Sequence, residues 1–318
     1  MLKYFVLFFL FSSFLFSGGC PGCGGYAGSG GTEAGLLGLL GSLMGNAGNN
    51  FYFSYYFGKF EDHKLDGIIY ALQIPLNRWI TIQGAIPYSS SDGTKIMYLD
   101  EPFHYESEGM GDFGLMLWFD LPGIKKIAPC PMDGDMTKVA DFLHINFGLG
   151  ATFPTGKYSF SDEWGLYPSE YQRGTGTVDY IGSFSIFKRI KKVQPQFSFL
   201  YKKSGGRNPV DWWRSDSFYI KANLIYLTNP IKKGGFDIGL ALSSVLENDR
   251  NYGWGPPGMY MEIYDSKGNF GTGYISYGME IVKKLRAGVS YSFPVYQKKG
   301  KDVDKFKNII GINFNINF

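Results

Sequence analysis

From about Asn50 onward the chain runs in short segments in which apolar and polar residues alternate, with turn residues between them. A period of two is that of a strand with one face in each of two environments. The last segment shows it most plainly: Ile310, Ile312, Phe314, Ile316 and Phe318 alternate with Gly311, Asn313, Asn315 and Asn317. An apolar face and a polar face along one strand suit lipid outside and water inside. The pattern predicts strands at 50–60, 65–76, 78–88, 111–121, 142–154, 177–188, 194–203, 216–228, 234–246, 271–282, 286–297 and 305–318. That is twelve, and single-chain bacterial membrane barrels have even strand numbers.

The connections support the count. Short ones (at Asn77, 189–193, 229–233 and 283–285) alternate with long ones (89–110, 155–176, 204–215 and 247–270), and 122–140 is the exception. Barrels of this kind have short periplasmic turns and longer outer loops. Pro75, Pro87, Pro154, Pro195 and Pro294 are expected at strand ends, because a closed ladder has no place for a missing donor.

Composition fits. Aromatics make up 18% of the chain and Gly numbers 44, while mean hydropathy is only -0.12. Aromatic girdles and a crowded wet lumen need such a mixture; a helical membrane protein would be greasier. The formal charge of +3 and short pairs such as Lys191-Lys192 give no broad basic face for nucleic acid.

The first residues read as an address. Lys3 precedes a short apolar run from Tyr4 to Phe16 and then small residues, the form of a secretory signal peptide over 1–19. No apolar run of 18 or more residues elsewhere competes as a transmembrane helix. Ser17-Gly18-Gly19-Cys20 also resembles a lipobox, which makes Cys20 a candidate lipidation site, although Ser17 stands where such boxes usually carry Leu. Residues 20–49 form a Gly-rich periplasmic leader, and 50–318 form the barrel. The expected fold is therefore all-β: a transmembrane antiparallel barrel of about twelve strands behind a short flexible leader, located in the bacterial outer membrane.

Strand parity assigns side chains to the lumen. Phe113, Leu115, Leu117 and Phe119 face lipid, as do Leu143, Ile145, Phe147 and Leu149. Asp112, Trp118, Asp120, His144, Asp179, Lys221, Asp237 and Glu280 then face inward. Inward placement is sensible, since Lys or Arg at the lipid midplane costs about 2–4 kcal/mol. These groups either select solutes, with the carboxylate surplus favouring cations, or form a hydrogen-bonded network that fills a narrow barrel. Gly111 and Gly176 read as small residues at rim turns or bulges.

Three motifs fall in order along these strands: Gly109-Met110-Gly111-Asp112, Phe153-Pro154-Thr155-Gly156 and Gly174-Thr175-Gly176-Thr177. Together they resemble the outer-membrane transporter family named after the meta-pathway of phenol degradation. The resemblance implies a barrel for passive uptake of small, often aromatic, compounds without a cofactor. A terminal run ending in Phe314, Ile316 and Phe318 resembles the signal read by the barrel-assembly machinery. Expected partners are outer-membrane lipid, that machinery and a small-molecule solute, not nucleic acid. The alternative is a structural or adhesive barrel, whose outer loops carry Trp212-Trp213 and Tyr252-Gly253-Trp254. An outer-membrane hydrolase is disfavoured: only His63, His104 and His144 are available, with His63 and His104 expected in outer turns and no serine assignable to His144.

Twelve strands put Cys20, Cys23 and Cys130 on the periplasmic side, where the oxidising compartment favours pairing. If Cys20 is acylated, Cys23 and Cys130 are the remaining intramolecular pair. If it is free, a Cys20-Cys23 bridge or weak metal binding is open, though two ligands make a poor metal site.

Overall fold

The structure is a computed structural model. It describes residues 49–318 except 62, 78, 97–101, 122–141, 163–164, 168–170, 191, 228–234, 253–258, 260, 264–266, 283–284 and 300–305. The residues read as a signal peptide, nearly all of those read as a leader, and all three cysteines lie outside the described residues.

The strands in chain order are β1 (Asn50–Phe60), β2 (His63–Pro75), β3 (Ile80–Ile96), β4 (Pro102–Met110), β5 (Phe113–Leu121) and β6 (Phe142–Phe153). Then come β7 (Ser161–Asp162), β8 (Gly165–Leu166), β9 (Asp179–Arg189), β10 (Val193–Lys203), β11 (Trp212–Trp213) and β12 (Ser217–Leu227). The last are β13 (Gly235–Val245), β14 (Asp249–Asn251), β15 (Met261–Ile263), β16 (Gly268–Val282), β17 (Leu285–Lys299) and β18 (Phe306–Asn317).

Thirteen of these form one antiparallel sheet that closes through β1 against β18. Two of them are halves of one broken stave. β5 pairs with the inner part of β3 (Ile80↔Phe119 to Ala85↔Gly114), and β4 pairs with its outer part (Tyr88↔Met110 to Ile96↔Pro102). The barrel thus has twelve staves, as the alternation predicts. Phe318 lies just past β18 and donates its N–H to Asn49 O at 3.1 Å.

Two expectations are corrected. The connection 89–110 is not a loop, because β3 and β4 extend it as a hairpin above the membrane. Ser89, Ser90, Ser91 and Asp92 carry no apolar alternation to read, because the buried face of the hairpin, with Ser89, Ser91 and Ser107, is itself polar. Pro87 is not at a rim either. It sits inside β3 opposite the break between β4 and β5, where its carbonyl accepts from Gly111 N at 2.8 Å. A proline is tolerated there because the facing ladder is already interrupted.

The outer wall is apolar. Leu149, Leu240 and Ile238 are 63, 60 and 54% exposed, and Phe119, Phe147, Phe236, Val289, Ile310 and Ile312 join them in a belt that only lipid would cover favourably. A closed sheet is one of two structures that can carry such a belt across a membrane, since it leaves few backbone groups unpaired in hydrocarbon. The chain is thus a transmembrane barrel of the bacterial outer-membrane type.

The interior explains the abundance of glycine. Tyr56, Trp118 and Tyr274 point inward and each lies across from a glycine of the neighbouring stave: Gly67, Gly148 and Gly239. A Cβ at these glycines would meet the Tyr56 ring at 2.3 Å, the Trp118 ring at 2.7 Å and Tyr274 Oη at 2.6 Å. Large and small residues alternate around the wall so that rings can lie flat across it. The main apolar cluster of the interior includes Tyr52, Tyr56, Phe60, Ile69, Trp118, Tyr219, Tyr274 and Ile309.

Candidate functional site

At the outer end, the connection between β6 and β9 turns back into the barrel mouth. Tyr171, Gln172, Arg173 and Thr175 are all buried, although none belongs to a long strand. The three Gly-rich motifs meet here. Asp112, buried between β4 and β5, accepts from Gly156 N (3.0 Å) on one oxygen. On the other it accepts from Thr175 N (2.7 Å) and Thr175 Oγ1 (2.8 Å). Thr155 Oγ1 accepts from Phe113 N at 2.8 Å and donates to Gly111 O at 3.0 Å. One carboxylate therefore ties both ends of the loop to the stave break.

Close backbone approach dictates the glycines. A Cβ on Gly174 would lie 2.5 Å from Gly156 O, and one on Gly156 would lie 2.8 Å from Arg173 O. Gly176 has φ +73, a left-handed conformation that side chains resist, and a Cβ there would meet the Tyr158 ring at 2.8 Å.

The latch positions Arg173, which is 1% exposed. Its guanidinium donates to Ser89 Oγ (2.5 Å) on β3, Ser107 Oγ (2.7 Å) on β4 and Tyr171 O (3.2 Å). Tyr171 packs against Tyr105 and His63, at ring distances of 5.1 and 5.5 Å. Gln172 holds the middle of the loop, accepting from Phe160 N and donating to Phe160 O and Tyr167 O. The loop is thus a bonded element inside the mouth.

Below it the lumen carries paired charge. Asp179 accepts from Lys202 Nζ (3.2 Å), Gly205 N (2.9 Å) and Thr177 Oγ1 (2.8 Å). Asp237 accepts from Asn223 Nδ2 (2.8 Å) and Tyr274 Oη (3.4 Å), and Lys221 Nζ stands 4.8 Å above the Tyr274 ring. Trp118 Nε1 donates to Gln83 Oε1 at 2.7 Å. Nearer the short-turn end, Glu280 lies 4.0 Å from Arg286. The side chains of Asp120 and His144 lie outside the described set.

Arg173, Lys202 and Arg286 are not among the expected lumen residues. Lys202 and Arg286 stand beside two of the expected carboxylates, Asp179 and Glu280. Lys202 shares the inward parity of Ser198 and Leu200 and was legible in principle; Arg173 sits in a loop without period and was not. His63 is also corrected: it opens β2, buried and stacked 4.5 Å from the Phe60 ring. His104 lies on β4, exposed and 3.7 Å from Asp92.

Beyond the rim, two other connections build a small sheet in the order β11-β14-β15. Asn208 accepts from Val210 N and Trp212 N, Asp249 accepts from Ser215 N, and the Arg250 guanidinium lies 4.4 Å over the Trp213 ring. This cap touches the in-folded loop through Asn208 Nδ2 on Thr175 O (2.9 Å) and Arg214 on Gly174 O (3.2 Å).

No protein-family profile matches the sequence, and no curated protein matches it. Solved structures similar in architecture include the NanC porin, with 9% identity, 85% of this chain and 100% of that one covered, and a TM-score of 0.46. Another is the β domain of the Bordetella autotransporter Brka (9% identity, 86% and 100% covered, TM-score 0.41). A third is the transport unit of the autotransporter AIDA-I from Escherichia coli (11%, 85% and 89%, 0.42).

Proposed function

We propose that this barrel is a non-enzymatic outer-membrane channel for passive uptake of small solutes, aromatic ones among them, closed at rest by the loop latched on Asp112. The observation that carries the reading is the in-folded loop itself. A barrel that only filled space or displayed loops outward would not need a carboxylate, two threonines and an arginine spent on holding an outer connection inside its mouth. Interior polar atoms add support. Among the described residues, Thr152 Oγ1, Ser185 Oγ, Ser243 Oγ and Gln83 Nε2 are buried without a protein partner. Buried polar groups of this kind are usually satisfied by ordered water, which fits a polar rather than a purely apolar interior. The order of the three motifs, which resembles that of the phenol meta-pathway transporters, points the same way.

Solute swelling of proteoliposomes tests it. Asp112→Ala should admit small sugars at least tenfold faster than the parent chain, because the loop loses three bonds to a charged acceptor, each worth roughly 1.5–3 kcal/mol. If the folded variant stays as impermeable as the parent to every solute tried, the structural or adhesive reading replaces this one.

A further inference from the structure

On three neighbouring staves the outer wall changes from apolar to basic at the outer rim. The outward side chains of β1 are Phe51, Phe53, Tyr55 and Phe57, and the next is Lys59. On β2 the outward run Leu72, Tyr70 and Ile68 gives way to Asp66 and Lys64. On β18 it is Phe314, Ile312 and Ile310, then Asn308. Lys307 follows as the extra residue of a bulge, since Lys59 faces Asn308 while Phe60 faces Phe306. All three lysines are exposed. Only residues 61–62 connect β1 to β2, so the wall is low here and its last side chains stand where lipid headgroups begin.

The lysines are set against one another. Lys59 and Lys64 are direct cross-strand partners, an arrangement in which like charges destabilise a sheet. Lys307 is next to Asn308, which faces Lys59 from the other side. Nearby carboxylates do not answer this charge. Asp92 faces Lys64 across the β2–β3 ladder but is held 3.7 Å from the His104 imidazole. Asp66, on the outward face of β2, offsets at most one of the three lysines. Farther round, Glu106 faces Asp92, and Glu108 accepts from Tyr88 Oη. These carboxylates repel an anion from the β3–β4 side and bound the basic patch to β18, β1 and β2.

A lysine stem lies along apolar surface while its ammonium reaches polar surroundings. Three such groups above Tyr55, Phe57, Ile68 and Ile310 call for a partner that is anionic at its head and apolar below it. A phosphate monoester carries about −1.5 to −2 charge near neutral pH, more than the single charge of a phosphodiester headgroup, and is the better match for this cluster.

We propose that Lys59, Lys64 and Lys307 bind a phosphate monoester of lipopolysaccharide in the outer leaflet, whose acyl chains lie against the apolar wall beneath. The site is on the outer surface and holds whether or not the barrel conducts.

Native mass spectrometry of the full chain, titrated in detergent with diphosphoryl lipid A, tests it. Lys59→Gln with Lys64→Gln should weaken binding at least tenfold, and Lys59→Arg with Lys64→Arg should stay within threefold of the parent chain. Lys203→Gln, at the outer end of β10 and opposite Tyr180, should stay within twofold. Lipid A stripped of its phosphates, and phosphatidylglycerol with its phosphodiester, should each bind the parent at least tenfold more weakly. The heat-modifiable gel shift verifies that each variant is folded. Parent-like binding of lipid A by the folded double glutamine variant overturns the proposal. So does phosphatidylglycerol binding the parent as tightly as lipid A does.

Discussion

Two outer regions of this barrel are built from similar residues and do opposite things. The loop between β6 and β9 has its ends fastened by side chains of the wall, with Asp112 holding Gly156 and Thr175. The β11-β14-β15 cap is fastened mainly to itself, by its own short ladder and by Asn208 and Asp249 on local backbone. A loop bonded to the wall is drawn into the mouth, whereas a loop bonded to other loops stays above it. The difference is clearest at Asp112, an inward carboxylate placed where a stave is broken, so that its oxygens face chain from elsewhere; the wall's Asp179 holds the cap's connection only at its root, Gly205.

If the wall sets the position of the first loop, damage to the wall beneath it should have the largest effect. Lys202→Met leaves the buried Asp179 carboxylate without its cation, a loss of about 3–5 kcal/mol. Asp179 also holds Gly205 and, through Thr177, the end of the loop. The heat-modifiable gel shift should occur at a clearly lower temperature in this variant, and the double change Lys202→Met with Asp179→Leu should recover much of it. An unchanged transition would mean that the pair does not hold the mouth.

Overpacking comes next. Gly148→Val drives new atoms into the Trp118 ring, which already lies 2.7 Å from the position of a Cβ. A cost of roughly 1–3 kcal/mol is expected, read as a lower urea midpoint for unfolding from detergent. Gly182→Val, where a Cβ would have nothing within 4 Å, should leave the midpoint nearly unchanged.

The cap should matter least. Trp213→Ala removes a cation–π contact with Arg250 worth about 0.5–1 kcal/mol. Conductance in planar bilayers should stay within twofold of the parent. A large rise would mean that cap and loop act as one gate, joined through Asn208 and Arg214, and the contrast between them would fail.

The sequence discloses the wall better than the mouth, for a physical reason. Within the bilayer each stave separates lipid from interior, so β18, with its Ile and Asn in turn, announces itself. Above the bilayer that contrast vanishes: the β3–β4 hairpin is polar on both faces and reads as a loop. The in-folded segment has no period at all, and Tyr171, Gln172 and Arg173 look like any surface stretch. Its anchors were visible as three Gly-rich motifs in order, but nothing in one dimension says that they meet at Asp112. Nor does Pro294 reveal from sequence that it lies within β17, opposite Thr272, and not at a strand end.

The central claim is that the latched loop closes the barrel at rest. Single-channel conductance in planar bilayers tests it most directly, comparing the parent chain with one in which residues 157–172 are replaced by a short Gly-Ser linker. The parent should stay closed for most of the record, and the shortened chain should hold a steady conductance at least tenfold above its time average. Equal, near-zero conductance in both, with the shortened chain folded by its gel shift, would contradict the claim.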